Sequence, residues 1–302
     1  MEKQIYRFTN DIDTLEVGSI GAAISITAHD SNEFYAEYDN PKDSPEFCAV
    51  ISGKTLTFKE KLSFNIFGTR PAEDYRITVK VPAQKLLKLK VNTASGGAEI
   101  SGVTAESFDL NTASGSINVN ACFDNVRVQS ASGNIYITNP EDTVAKSITV
   151  CTVSGSAEVS NYKAEKFELH SVSGKTTYDS ATGAGKIAVT SGNVDVRFLE
   201  WNDDLNVSAI SGNINISLPA DSGIDVKFDG VSGMLRTDIG TQKGSFMNLG
   251  KGTSGQMGGE NMHKVSISLT SGNVTIAQSD IVSAKPAEDI PAGGIDLNKQ
   301  GA

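Results

Sequence analysis

Val150-Cys151-Thr152-Val153-Ser154-Gly155-Ser156-Ala157-Glu158-Val159 runs up to a Thr-x-Ser-Gly turn and leaves it as an alternation of polar and apolar residues. The same Ser-Gly pair stands at Ser95-Gly96, Ser114-Gly115, Ser132-Gly133, Ser173-Gly174, Ser191-Gly192, Ser211-Gly212, Ser232-Gly233 and Ser271-Gly272. Successive glycines are 19, 18, 22, 19, 18, 20, 21 and 39 residues apart, the last interval being about two periods. It holds either a coil that lacks the pair or a coil with a long insertion.

Alignment on the glycine makes columns. Two residues after it stand Ala98, Ile117, Ile135, Ala157, Thr176, Val194, Ile214, Leu235 and Val274. Four after it stand Ile100, Val119, Ile137, Val159, Tyr178, Val196, Ile216, Thr237 and Ile276. Five before it stand Val91, Leu110, Val128, Val150, Leu169, Ile187, Val207, Phe228 and Ile267. The column seven before is also apolar and is broken at Gly185. This is the period-two pattern of strands, with a β-branched bias. One coil cannot bury its apolar face, but stacked coils can, each bonding to the next at about 4.8 Å. The chain is therefore read as all-β, a single-stranded β-helix or β-solenoid with coils of about 19–20 residues.

The glycines are expected to supply positive φ at a sharp corner. The serines are expected to bond neighbouring backbone, because a nucleophile is needed once and this serine recurs nine times. The column three before the glycine, Thr93, Thr112, Ser130, Thr152 and Ser171, shares parity with the core and should point inward, against an ice-binding role. Period-two parity also places Ser173 inward and His170 outward.

The net charge of −10 and the lack of a Lys/Arg cluster exclude general affinity for nucleic acid or anionic lipid. Cys48, Cys122 and Cys151 are too few for a disulfide framework and read as free thiols. No apolar run approaches the ~18 residues of a membrane span. Met1 to Tyr6 lack a basic region leading into an apolar run, so no signal peptide is expected in this sequence, which gives a cytoplasmic location by default.

Three segments are expected. Residues 1–85 form irregular first coils and a cap, with strands at Ile5–Phe8, Leu15–Val17, Ala23–Thr27, Phe34–Tyr38, Thr55–Phe58 and Tyr75–Val81. Within them Ser52-Gly53 lies 43 residues before Gly96, again about two periods, and Lys59–Arg70 is expected to form a loop or cap flap. Residues 86–277 form the regular solenoid with a Gly-rich insertion at 240–260, and 278–302 form a disordered tail. The run Gly250-Lys251-Gly252-Thr253 lacks the strand–loop–helix setting of a phosphate-binding loop.

No catalytic, cofactor-binding or metal-binding residue is expected. His29, His170 and His263 have no ligand-type neighbour at suitable spacing. The column three after the glycine carries Glu99, Glu158 and Asp195, never on adjacent coils, so it lacks the acid cluster of a polysaccharide-cutting β-helix. Four before the glycine, Asn92, Asn111 and Gln129 are placed to form an amide ladder.

Tyr75-Arg76-Ile77-Thr78-Val79-Lys80-Val81-Pro82-Ala83, the stretch Leu86 to Val91, the iterated Thr-x-Ser-Gly blocks and the closing Ser266 to Ile276 resemble the bacterial DUF4097 family of adhesin-like proteins. The resemblance covers roughly Leu15 to Ala277. It implies a right-handed solenoid of the bacterial envelope and no catalytic residues. The expected function is non-enzymatic: an adhesin-like binding or scaffolding rod, monomeric, meeting an unidentified protein or glycan surface without cofactor, nucleic acid or membrane insertion. The alternatives are a polysaccharide-acting β-helix enzyme and an intracellular self-assembling scaffold.

Overall fold

A computed structural model describes residues 2–9, 11–40, 46–61 and 76–280. Every element among them is a strand, and the parallel strands form two rows. The first row precedes the Ser-Gly corner and includes Leu86–Thr93, Ser147–Thr152, Lys166–Ser171 and Leu205–Ala209. The second row follows it and includes Ile135–Thr138, Ser156–Ser160, Lys175–Ala181 and Asn213–Leu218. Ala98–Thr112 and Ile117–Ser130 are long enough to serve both rows. The architecture is the β-solenoid that the repeat implies.

The alternation sets the core. Ile117 pairs with Ile135, and Ile135 with Ala157, all three buried. Between the rows, Phe167 meets the Tyr178 ring edge-on at 5.3 Å. Gly185 breaks its apolar column because the Phe167 ring fills its place: a Cβ there would lie 2.4 Å from Phe167 Cζ. Ile135→Asp is expected to cost more than ~3 kcal/mol through a buried unpaired charge. Asn134→Asp, at an exposed neighbour, should stay within ~0.5 kcal/mol. Denaturant melts of the two variants check this, and equal midpoints would refute the inward assignment.

Coil order in space departs from coil order in sequence at both ends. Thr14–Ser19 and Ala23–His29 lie between the coil at 86–101 and the strands Thr55–Lys61 and Arg76–Pro82. At the far end Asn261–Leu269 and Asn273–Gln278 enter between the coil at 205–218 and the coil at 222–237. The double-length interval from Gly233 to Gly272 thus holds the second half of the coil 222–237, the inserted antiparallel strands and the first strand of the coil that returns inward.

Antiparallel strands close each end. Glu46–Ser52 pairs with Thr55–Lys61, and Phe34–Asn40 pairs with Arg76–Pro82. Met247–Leu249 and Ser254–Gly258, from the Gly-rich stretch expected to be a flexible excursion, pair with Met234–Thr237 and Ser222–Gly230. Such strands cover a ladder that would otherwise recruit other chains. Ser52-Gly53 is not a coil corner, as the spacing suggested: Gly53 has φ of +60° in the turn between the paired strands Glu46–Ser52 and Thr55–Lys61. Lys59 to Lys61 continue a strand, and the rest of the expected flap lies outside the described residues, as does the tail from 281.

Candidate functional site: a groove along the Thr-x-Ser-Gly corner

The corner is built by hydroxyls and close backbone. Thr93 Oγ1 donates to Gly96 O at 2.7 Å, Ser130 Oγ to Gly133 O at 2.9 Å and Ser171 Oγ to Gly174 O at 2.9 Å. These side chains are buried, as their parity implies. All nine Ser-Gly serines donate Oγ to a main-chain carbonyl of the adjacent coil, as Ser173 does to Val153 O at 3.0 Å. The backbone N–H of Ser173 reaches the same oxygen at 2.8 Å. Ser173 is therefore exposed rather than inward: the strand ends at Ser171, and period-two parity does not pass through the turn. Ser173→Ala removes one of two bonds to that carbonyl at an exposed site, so a loss under ~1 kcal/mol is expected from thermal melting.

The glycines overturn the positive-φ expectation. None of the nine Ser-Gly glycines in the coils has positive φ. They stack backbone on backbone instead. A Cβ on Gly115 would lie 2.0 Å from Gly96 O, on Gly133 2.1 Å from Gly115 O, and on Gly155 2.1 Å from Gly133 O. The stack also follows the rearranged order, Gly272 over Gly212 and Gly233 over Gly272.

This tight corner leaves a groove outside. Its floor is the hydroxyl column, one wall is the column four before the glycine, and the other is the column two before it. The second wall reads Ile20, Ala94, Ala113, Ala131, Val153, Val172, Thr190, Ile210, Thr270 and Val231 along the stack. Val153, Val172, Ile210 and Val231 are 50%, 45%, 55% and 75% exposed, so an apolar stripe interrupted by Thr190 and Thr270 faces solvent. The sequence carried half of this signal, a column held mostly by apolar residues; its exposure is shown by the corner. Scattered apolar surface residues need no explanation, whereas an aligned row makes this face the candidate contact surface.

Two stretches of groove meet at Cys151 and Val153. The first, about 800 Å³, runs from Lys59 and Glu60 past Asn92, Asn111 and Gln129. The second, about 500 Å³, continues past His170, Ala188 and Ser208 to Ser268 and Thr270. Asn111 Nδ2 donates to Asn92 Oδ1 at 3.1 Å, forming the first step of the expected amide ladder. Burial holds the Cys151 thiol above its ordinary pKa, so it is neutral in the groove wall rather than a nucleophile. Cys48 and Cys122 are also free thiols.

The remaining candidates stay apart. His29 Nε2 is bonded to Glu33 O, His170 Nε2 lies 3.3 Å from Glu168 Oε2, and His263 Nε2 is bonded to Asn261 Oδ1. Among the described residues, no group of three or more His, Cys, Asp or Glu is placed to hold a metal ion. On the outer column, Asp195 lies 3.5 Å from Lys175 Nζ and accepts a bond from Asn215 Nδ2 at 2.7 Å. The segment Gly250 to Thr253 lies between two cap strands, not before a helix. Among the described residues no helix is long and apolar enough to cross a membrane.

Two solved structures share this fold. One, described as a "putative lipid binding protein" from Parabacteroides distasonis, is 15% identical, covers 91% of this chain and 96% of its own, and superposes with a TM-score of 0.58. The other, a "putative adhesin" from the same organism, is 13% identical over 91% of this chain and 97% of its own, with a TM-score of 0.56. At these identities the likeness is one of fold. No curated protein matches the sequence. A family model matches residues 12–277, nearly the whole stack of coils from the first intercalated turn to the last, and the chain belongs to the Toastrack DUF4097 family.

Proposed function

We propose that this chain is a non-enzymatic, monomeric binding rod of the bacterial envelope, engaging its partner through the groove along the Thr-x-Ser-Gly corner. The observation that carries this reading is the exposed apolar stripe aligned over successive coils. The adhesin and lipid-binding descriptions of the two similar structures support it. The Ser-Gly serines already donate to backbone carbonyls, and His170 stands in another column, paired with Glu168, which supports a binding role over a catalytic one.

The test is binding of labelled protein to bacterial envelope fragments. Ala113→Arg and Val153→Arg, both exposed in the groove, are expected to weaken it at least about tenfold, since each places a hydrated charge in an apolar contact. Glu99→Arg, on the outer face of the second row, should leave it unchanged. Equal loss from all three variants would reject the groove as the contact surface.

A further inference from the structure

Every Ser-Gly coil bonds its corner in one way. The N–H two before the glycine and the N–H of the serine each donate to a carbonyl of the adjacent coil. The series runs from Ala94 to Ser19 O at 3.1 Å and Ser95 to Ile20 O at 2.9 Å, up to Val231 to Leu269 O at 3.0 Å and Ser232 to Thr270 O at 2.9 Å. The ladder has a first rung, Ser19-Ile20-Gly21-Ala22, where Ser19 Oγ donates to Ala22 O at 2.9 Å as Thr93 Oγ1 does to Gly96 O. Here the corresponding N–H groups, on Ile20 and Gly21, both donate to one side-chain atom, Glu60 Oε2, and Ser19 Oγ lies 3.3 Å from it. The sequence marks the same rung as terminal. A Cβ on Gly96 would lie 1.9 Å from Ala22 O, and the later corner glycines are crowded in the same way, whereas Ala22 carries its Cβ and is buried with it. Gly21 likewise lacks the hydroxyl that the nine serines direct at a neighbouring coil.

We propose, independently of what the groove binds, that this first rung is a carboxylate-binding site which the chain fills with its own Glu60. The side chain stands in for the carbonyls of a coil that is not there. It thereby ends the corner ladder and latches the strand Thr55–Lys61 to the coil 14–29. The chemistry of the donors selects the ligand. Two N–H groups that elsewhere meet two carbonyls converge here on one atom, and a charged oxygen accepts both in the stronger, charge-assisted kind of bond. Glu60 is only 8% exposed, and its Oε1 is buried with no hydrogen-bond partner among the described residues. Burying that oxygen is unfavourable. The position is stable because Oε2 satisfies two part-buried backbone donors that would otherwise stand unpaired.

Glu60→Ala removes the heavy atoms of one acetate ion, which makes acetate the probe. Amide hydrogen exchange of the full chain reads the site directly. In Glu60→Ala the amides of Ile20 and Gly21 are expected to exchange at least about tenfold faster than in the parent chain. Those of Ser132 and Ser154, deep in the same ladder, should change less than about twofold. Acetate should restore most of the lost protection. Acetamide, of the same shape without the charge, should restore much less, and neither should alter the parent chain. Thermal melting should follow the same order, with acetate raising the midpoint of Glu60→Ala more than that of the parent. Glu60→Gln keeps a carbonyl oxygen at the rung, so it should lose only about threefold in protection there and gain nothing from acetate. Unchanged protection of Ile20 and Gly21 in Glu60→Ala, lost protection that acetate does not restore, or equal rescue by acetamide would each overturn the proposal. Should Glu60→Ala fail to fold, Glu60→Gln decides: protection at Ile20 and Gly21 equal to the parent's would show that the rung does not select a carboxylate.

Discussion

Gly155→Ala is expected to destabilise the protein by about 3–5 kcal/mol, although alanine is the smallest side chain that can be added. The new Cβ would lie 2.1 Å from Gly133 O and 3.0 Å from Ser132 C, both backbone atoms of a coil held by ladders above and below. The clash is relieved only by opening the stack locally, which weakens bonds such as Ser154 N–H to Ala131 O at 2.8 Å. Gly53→Ala provides the contrast. Gly53 has φ of +60° and nothing within 4 Å of the added Cβ, so its cost is that of a left-handed alanine, about 1 kcal/mol. Guanidinium unfolding of both variants separates the two causes. A Gly155→Ala protein no less stable than Gly53→Ala would mean that the stack yields easily at this corner.

Removing residues 261–302 should cost at least about 5 kcal/mol more than removing 281–302 alone. The longer deletion takes out an inner layer, not the end of the rod. Val265, Ile267, Leu269, Val274 and Ile276 are buried in that layer, and each such side chain contributes about 1.5–3 kcal/mol before chain entropy is subtracted. Their loss also breaks the ladders to Leu205–Ala209, Asn213–Leu218 and Ser222–Gly230 together. Limited proteolysis should then cut within 222–259. If the shortened chain resists both denaturant and protease, the coil at 222–237 has dropped one layer and docked directly on 205–218. That outcome would show that the intercalated coil is dispensable.

Much of the fold was legible because a solenoid writes its contacts into one period. Ile117, Ile135 and Ala157 meet in space for the same reason that they align on Gly115, Gly133 and Gly155. The hydroxyl column was legible in the same way. The cap strand Glu46–Ser52 was not, since neither the repeat nor a clear alternation marks it. The groove was only half legible. Its amide rail stood out as a polar ladder, but the alanines and valines opposite it acquire meaning only once the corner shows that they face solvent. Glu60 was invisible: it belongs to no column, and its pairing with Ile20 and Gly21 spans about forty residues.

The local period by itself determined the strands, the inward and outward parity within them, the place of the corner and the bonding of its serines. Each depends on residues a few positions apart or on one repeat interval. Tertiary structure decided the order of the coils and the reason for the glycines. Backbone ladders pair any two strands of matching parity, so nothing local forbids stacking in sequence order. The hairpins at both ends and the return of Asn261–Gln278 between earlier coils set the order through contacts about sixty residues apart, such as Asn273 Nδ2 to Asn213 Oδ1 at 3.2 Å. A glycine written in a turn reads as conformational freedom. Only the neighbouring coil, with its carbonyl about 2 Å from where a Cβ would stand, shows that these glycines are there for space.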